Sequence, residues 1–145
     1  MDKIYDVIIL GAGPSGLAAG IYAGRARLDT LLIEKGKDGG QIAITDEIEN
    51  YPGQMVDGES GPSLIERMTK QVEKFGAERV SDTIVSVDIE GPVKTLVGSN
   101  GTYKARTLII ATGAFPRPIG CKGEGEFMGK GVSYCAVCDA AFFEE

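Results

Sequence analysis

The sequence predicts an α/β fold in which parallel strands alternate with helices and an antiparallel β-meander follows. Three observations predict it. A continuous apolar run, Val7-Ile8-Ile9-Leu10, leads into a glycine turn and a small-residue helix. A second apolar run follows at Leu31-Leu32-Ile33, and turn signals recur at Glu90-Gly91-Pro92 and Ser99-Asn100-Gly101. Uninterrupted apolar runs belong to parallel strands buried on both faces, whereas closely spaced turn signals belong to antiparallel ones.

The first run therefore predicts a central strand. Gly11-Ala12-Gly13-Pro14-Ser15-Gly16 comes directly after it, and Leu17 to Ala23 continues as a helix of small residues able to pack closely on a sheet. The second strand ends at Glu34, which lies 18 residues after Gly16. Strand, glycine turn, helix, strand and terminal acid form a compact Rossmann-like βαβ unit, and each part has a physical job in holding a dinucleotide. Gly11 permits the tight turn, Gly13 lets the backbone approach a pyrophosphate, and Gly16 allows close helix–strand packing. The helix N-terminus faces the phosphates. Glu34 would accept hydrogen bonds from ribose hydroxyls, favouring an adenosine ribose without a 2′-phosphate, as in FAD or NAD. The plainer alternative is a glycine turn that serves packing alone.

Residues 36–61 read as a long loop with Gly39-Gly40-Gln41 and Glu49-Asn50-Tyr51-Pro52-Gly53 as landmarks, either functional or a solvated excursion. Beyond Gly61-Pro62-Ser63, Leu64, Met68, Val72 and Phe75 recur at helical spacing and predict an amphipathic helix ended by Gly76-Ala77. Arg79 to Ile89, Val93 to Val97 and Tyr103 to Ile110 then read as antiparallel strands. The last of them runs through Thr107-Leu108-Ile109-Ile110-Ala111, expected to be buried and to return to the parallel sheet, into Thr112-Gly113-Ala114. Pro116 and Pro118 stiffen the next segment and place a domain boundary there, giving domains over 1–117 and 118–145.

Composition narrows the chemistry. The 145 residues are 43% hydrophobic and 25% charged, the balance of an ordinary globular domain. The 21 glycines are about twice the usual share and cluster rather than repeat, which points to phosphate loops rather than low complexity. There is no histidine, which excludes Ser/His and Cys/His catalysis and His-ligated metals. A net charge of −6 disfavours nucleic acid as a partner. The first residues do not read as a signal peptide, and no run of about 18 apolar residues predicts a membrane helix. The expected location is the reducing cytoplasm.

Three cysteines are too few for a disulfide scaffold and, without histidine, for a zinc or iron–sulfur site, so no metal is expected. Cys135-Ala136-Val137-Cys138-Asp139 has the spacing that brings two sulfurs within disulfide reach when the first lies at a helix start. Thiol–disulfide exchange is the chemistry this favours, with two inert buried thiols as the alternative. In a chain without histidine, Asp139 is the natural acid to protonate a departing thiolate. Cys121 lacks such a neighbour and reads as a packing residue.

With Gly11-Ala12-Gly13-Pro14-Ser15-Gly16, Gly39-Gly40-Gln41, Glu49-Asn50-Tyr51-Pro52-Gly53, Ala111-Thr112-Gly113 and Cys135-Ala136-Val137-Cys138-Asp139 in this order, the whole chain resembles the bacterial-type, low-molecular-weight thioredoxin reductase family. That resemblance implies a Rossmann-like FAD-binding domain followed by the start of a second dinucleotide-binding domain. It implies FAD held by Gly11, Gly13, Pro14, Ser15, Gly16, Glu34, Lys35, Gly40, Gln41 and Asn50, with contacts near Ile84 and at Thr112 and Gly113. Electrons would pass from NADPH to FAD, to the Cys135/Cys138 pair and to thioredoxin. Cys138 would be the flavin-side sulfur, Cys135 would attack the partner's disulfide, and Asp139 would be the acid–base group. A homodimer is implied. The family pattern continues with a second glycine-rich βαβ unit for NADPH and a return segment, so the chain is expected to be the amino-terminal half of a longer enzyme and not fully active alone. The same motifs leave open a flavoprotein of a peroxide-reducing system, a ferredoxin-driven reductase, a dithiol oxidase or a non-catalytic flavin-binding fragment.

Overall fold

The computed structural model describes residues 3–55 and 57–139. These divide between two compact units, Met1–Gly113 and Ala114–Glu145. In the first, β1 (Ile4–Leu10) is followed by α1 (Pro14–Arg25), β2 (Thr30–Glu34), a short 3-10 helix (Gly40–Ile44), α2 (Gly61–Lys74), β3 (Glu78–Ser81), β4 (Ile84–Asp88), β5 (Lys94–Gly98) and β6 (Thr102–Ile110). The six strands form one sheet in the order β3-β2-β1-β6-β5-β4.

β1 is central, as its sequence predicts. It pairs in parallel with β2, Ile8 opposite Leu31 and Leu10 opposite Ile33, and with β6, Ile8 opposite Leu108 and Leu10 opposite Ile110. Strand alternation sends its side chains into two cores. Val7 and Ile9 join Leu17, Leu32 and the α2 stripe on the helical face, while Ile8 joins Leu31, Ile33, Leu96 and Ala105 on the other. The second core joins β5 to the parallel strands, and Leu96 of β5 is 0% exposed there. Burying a side chain of this size is worth about 1.5–3 kcal/mol.

α1 begins with Pro14, whose fixed φ suits the first helical position and whose missing N–H costs nothing there. α2 is capped by Ser60, whose hydroxyl accepts from the Ser63 N–H at 3.3 Å, and ends as Gly76 turns with φ +79°. Its buried stripe is Leu64, Ile65, Met68 and Val72. Phe75, expected in that stripe, is the C-cap residue and 36% exposed, because the helix ends before the stripe reaches it.

Three further sequence expectations change in the sheet and its loops. The single antiparallel strand expected over residues 79–89 is two strands: β3 pairs in parallel with β2, and β4 pairs antiparallel with β5. Asp82 divides them. Its side chain is buried, and its carboxylate collects the Thr83 N–H at 2.7 Å, the Asn100 N–H at 3.2 Å and the Tyr103 hydroxyl at 2.8 Å. A buried carboxylate needs these donors, so the chain turns around it. The expected loop over 36–61 contains the 3-10 helix and a bridge between Ile48 and Glu59. Finally, β6 is less buried than expected at its end, Ile110 being 67% exposed. Beyond Ala105 it pairs with β1 alone among the described residues, because β5 pairs only with Thr102 to Ala105.

The second unit contains a bridge between Met128 and Val132 and a single helical turn, α3 (Ala136–Asp139). Glu124 organises its start by accepting the Ile119 and Gly120 N–H groups at 2.9 and 2.6 Å. Among the described residues no helix is long and apolar enough to cross a membrane.

Because Leu96 ties the antiparallel strands to the parallel sheet, Leu96→Ala should cost about 2–5 kcal/mol in chemical denaturation, with one cooperative transition retained. A loss below about 1 kcal/mol would show that β5 and the parallel strands do not share a core.

Candidate functional site

The site is built where β1 ends. Gly11 adopts φ +110°, and a Cβ there would stand 2.3 Å from the Ala111 carbonyl oxygen. A Cβ at Gly16 would stand 1.9 Å from the Gly11 oxygen. Both are glycines because neighbouring backbone occupies the space a side chain needs. Gly13 differs: a Cβ there would meet nothing within 4 Å. It is the N-cap of α1, with no side chain closing the helix end. The first N–H groups of α1 lack intrahelical acceptors and face this open space, together with the positive end of the helix dipole. Such a place accepts an anion.

The start of the 3-10 helix bounds the same opening. Gly39 donates its N–H to the Ala12 carbonyl at 2.8 Å, and Gly39 and Gly40 have φ of +114° and +55°. A Cβ at Gly40 would lie 3.7 Å from the Gly13 Cα, so Gly40 stands at the mouth of the glycine turn, with Gln41 after it, exposed. Glu34 closes β2, half-buried. Its carboxylate accepts the Ala12 N–H at 2.9 Å and the Gly36 N–H at 3.0 Å. A carboxylate has about four acceptor positions, so these bonds fix its orientation and leave capacity for two hydroxyls. Lys35 beside it is exposed.

Thr112 comes after β6 and passes beside the glycine turn, its nitrogen 3.2 Å from where a Gly11 Cβ would be; Gly113 has φ +66°. Ile84 opens β4, and the Asp82 N–H donates to the Glu34 carbonyl at 3.1 Å, which carries the crossover before Ile84 to the end of β2. Gly11, Gly13, Pro14, Ser15, Gly16, Glu34, Lys35, Gly40, Gln41, Ile84, Thr112 and Gly113 thus gather at the carboxyl ends of the parallel strands or beside them. That is the general binding edge of open α/β sheets. The open cradle at Gly13 and the acceptor capacity of Glu34 fit the phosphates and ribose of a dinucleotide. Asn50 is exposed, in the loop that follows the 3-10 helix.

Sequence reasoning missed the residues that hold these loops. Arg79 donates through Nε to Asp38 at 2.7 Å and through a terminal nitrogen to the Gly36 carbonyl at 2.9 Å, while Thr69 donates to Asp38 at 3.2 Å. β3 and α2 thereby fix residues 36–38. Asp82 is the other omission, signalled by the break in apolar patterning at Ser81-Asp82-Thr83. Burial opposes its charged form, but the Tyr103 phenol and the amides of Asn100, Thr83 and Ser99 outweigh burial and hold its carboxyl below the usual carboxylate range.

In the second unit Cys135 and Cys138 form a disulfide, with Cα atoms 5.2 Å apart. Cys135 stands immediately before α3, its N–H donating to the Ser133 hydroxyl at 3.0 Å, and the Cys138 N–H donates to the Cys135 carbonyl at 3.0 Å. Both cysteines are exposed. Asp139 ends α3, and its side chain lies outside the described residues. Cys121, expected to pack, is an exposed free thiol, since the turn that begins at it leaves its side chain at the surface. Among the described residues no group of three or more His, Cys, Asp or Glu is placed to hold a metal ion.

Comparison with known proteins identifies relatives of the whole chain. A family model described as pyridine nucleotide-disulphide oxidoreductase matches residues 5–145. The thioredoxin reductase of Peptoclostridium litorale is 57% identical over 145 residues, which are 100% of this chain and 46% of that protein. The thioredoxin reductase of Peptoclostridium acidaminophilum is 55% identical with the same coverage. The crystal structure of thioredoxin reductase from Streptococcus pyogenes MGAS5005 superposes with a TM-score of 0.91 at 43% identity, over 100% of this chain and 47% of that one. The chain spans about half the length of the curated relatives it matches.

The glycine geometry and the buried carboxyl can each be tested by substitution. Gly13→Ala should change stability by no more than about 1 kcal/mol yet weaken dinucleotide binding about ten-fold or more, whereas Gly16→Ala should prevent stable folding. Thermal denaturation with a binding titration separates the two; equal effects on folding would contradict the cradle at Gly13. Asp82, with its lowered folded-state pKa, contributes stability that is complete above about pH 4, where the unfolded carboxyl titrates. That contribution is lost as pH falls through the lowered value, so Tm should drop on acidification and Asp82→Asn should flatten the dependence. An unchanged pH profile in Asp82→Asn would contradict it.

Proposed function

The chain belongs to the pyridine nucleotide-disulphide oxidoreductase family, and from that premise we propose that it is the flavin-binding and redox-disulfide portion of a thioredoxin-disulfide reductase using NADPH. The observation that carries this reading is a Cys135–Cys138 disulfide in a chain whose glycine turn leaves an open cradle at Gly13. Identity of 57% to a thioredoxin reductase along the whole chain supports it. Residues 1–117 form the FAD-binding domain in this reading, and 118–145 open the domain that bears the cysteines.

Gly11, Gly13, Pro14, Ser15 and Gly16 would cradle the FAD pyrophosphate and Glu34 would take the ribose hydroxyls, with Lys35, Gly40, Gln41, Asn50, Ile84, Thr112 and Gly113 completing the site. Bound FAD supplies two-electron carriage between a nicotinamide and a dithiol. The chain's own chemistry is thiol–disulfide exchange. The Cys135 thiolate attacks one sulfur of the thioredoxin disulfide, forms an S–S bond with it and expels the other sulfur as a thiolate. Cys138 then attacks the Cys135 sulfur, which restores the Cys135–Cys138 disulfide and expels the second thiolate. Two electrons leave the cysteine pair and two reach the partner. Asp139 delivers a proton to a departing sulfur, a role that falls to a carboxyl because the chain has no histidine.

An anaerobic visible spectrum of the FAD-loaded chain, before and after reduced thioredoxin, tests the reading. The flavin band should bleach in the parent and persist in Cys138→Ser, which should bind FAD with unchanged affinity. Bleaching retained in Cys138→Ser would overturn the assignment of the cysteine pair.

A further inference from the structure

The loop that carries Asn50 is fastened to α2 by an ion pair that thiol–disulfide exchange does not employ. Glu59 lies one residue before the N-cap of α2, and its side chain is only 4% exposed. Its carboxylate accepts Arg67 Nε at 2.8 Å on one oxygen and an Arg67 terminal nitrogen on the other, a two-pronged pairing; the Ser63 hydroxyl adds a third bond at 2.9 Å. Ser63 and Arg67 are both on α2. The backbone of Glu59 meanwhile grips the loop: the Ile48 N–H donates to the Glu59 carbonyl at 2.8 Å, and the Ile48 side chain is buried in the helical core.

Asn50 comes two residues later, between two fixed points. On one side is Ile48; on the other is Gln54, whose N–H donates to the Tyr51 carbonyl at 3.2 Å and whose side-chain amide donates back to the Ile48 carbonyl. The turn around Asn50 is therefore closed on Ile48, Ile48 on Glu59, and Glu59 on α2. The same helix supports the other wall of the site. A Cβ on Gly61 would lie 1.7 Å from the Ile42 carbonyl oxygen, so the start of α2 rests directly on the 3-10 helix that begins at Gly40.

We propose that Glu59 and Arg67 form a latch that sets Asn50 in register with the glycine cradle, making Glu59 and Arg67 positioning residues for FAD. This rests on the proposed reading of the cradle and Asn50 as parts of the FAD site. Neither residue needs to touch the cofactor. A planar guanidinium holding both oxygens of a nearly buried carboxylate fixes direction as well as distance, which a lysine cannot do. Loosening the pair frees the turn at Asn50 while α2, buried through Leu64, Ile65, Met68 and Val72, stays in place.

The test is a fluorescence titration of FAD into the full chain and its Arg67→Lys, Glu59→Gln and Glu59→Ala variants, each with a bound-flavin absorption spectrum and a thermal unfolding curve without FAD. Arg67 is 46% exposed, so Arg67→Lys is expected to fold and carries the test even if Glu59→Ala does not. Arg67→Lys and Glu59→Ala should raise the FAD Kd about 10- to 100-fold and shift the flavin spectrum, with Glu59→Gln, which keeps an acceptor for Ser63 and Arg67, in between. Parent-like Kd and spectrum in Arg67→Lys would overturn the latch while leaving FAD binding intact. A parent chain that binds no FAD would overturn the reading of the cradle, and the latch with it.

Discussion

Three stretches of backbone meet with no side chain between them: the turn at Gly11, the first turn of α1 at Gly16, and the chain leaving β6 at Ala111. A Cβ at Gly11 would enter the Ala111 carbonyl, and one at Gly16 would enter the Gly11 carbonyl. This contact depends on β1 lying between β2 and β6 with both its faces buried, since only a central strand delivers its end to a neighbour on each side. The open cradle at Gly13 is the space left over. Once Gly11 and Gly16 have closed the turn, Gly13 alone faces outward at the open end of α1.

Around that contact the loops are held by carboxylates rather than by regular pairing. Glu34 ties the glycine turn to the end of β2, Asp38 ties the adjoining loop to Arg79, Asp82 gathers the crossover before β4, and Glu59 ties the Asn50 loop to α2. Each supplies an acceptor where backbone or side-chain donors would otherwise go unmet. The result is a rim of irregular chain whose position is set by directional bonds to rigid elements. Loops positioned by a scaffold are the usual carriers of binding residues, and here α2 serves as the scaffold for two of them.

β1, β2, β6 and both long helices are legible because their signals are local: an apolar run, a glycine turn, a 3.6-residue stripe. The glycine turn is legible too, since the close approach of neighbouring backbone restricts Gly11 and Gly16 to one residue type. The split at Asp82 is not legible in the same way. Ser81-Asp82-Thr83 interrupts the pattern, but whether it ends a strand or bulges it depends on Asn100 and Tyr103 arriving from far along the chain. Phe75 shows the reverse error, a residue in helical phase whose helix ends before reaching the core.

By itself the sequence determined the βαβ unit, the glycine cradle, the acid at the end of β2 and the cysteine pair, because each rests on spacing within a few tens of residues and on steric or chemical limits that few residue types satisfy. The tertiary structure decided the sheet order, the parallel docking of β3 beside β2, the surface position of Cys121 and the carboxylate ties of the loops. Those depend on contacts between residues remote in sequence, as when Arg79 meets Asp38 or the Asp82 amide meets the Glu34 carbonyl. A polar residue has many acceptable partners, and only the packed fold selects which one comes within reach.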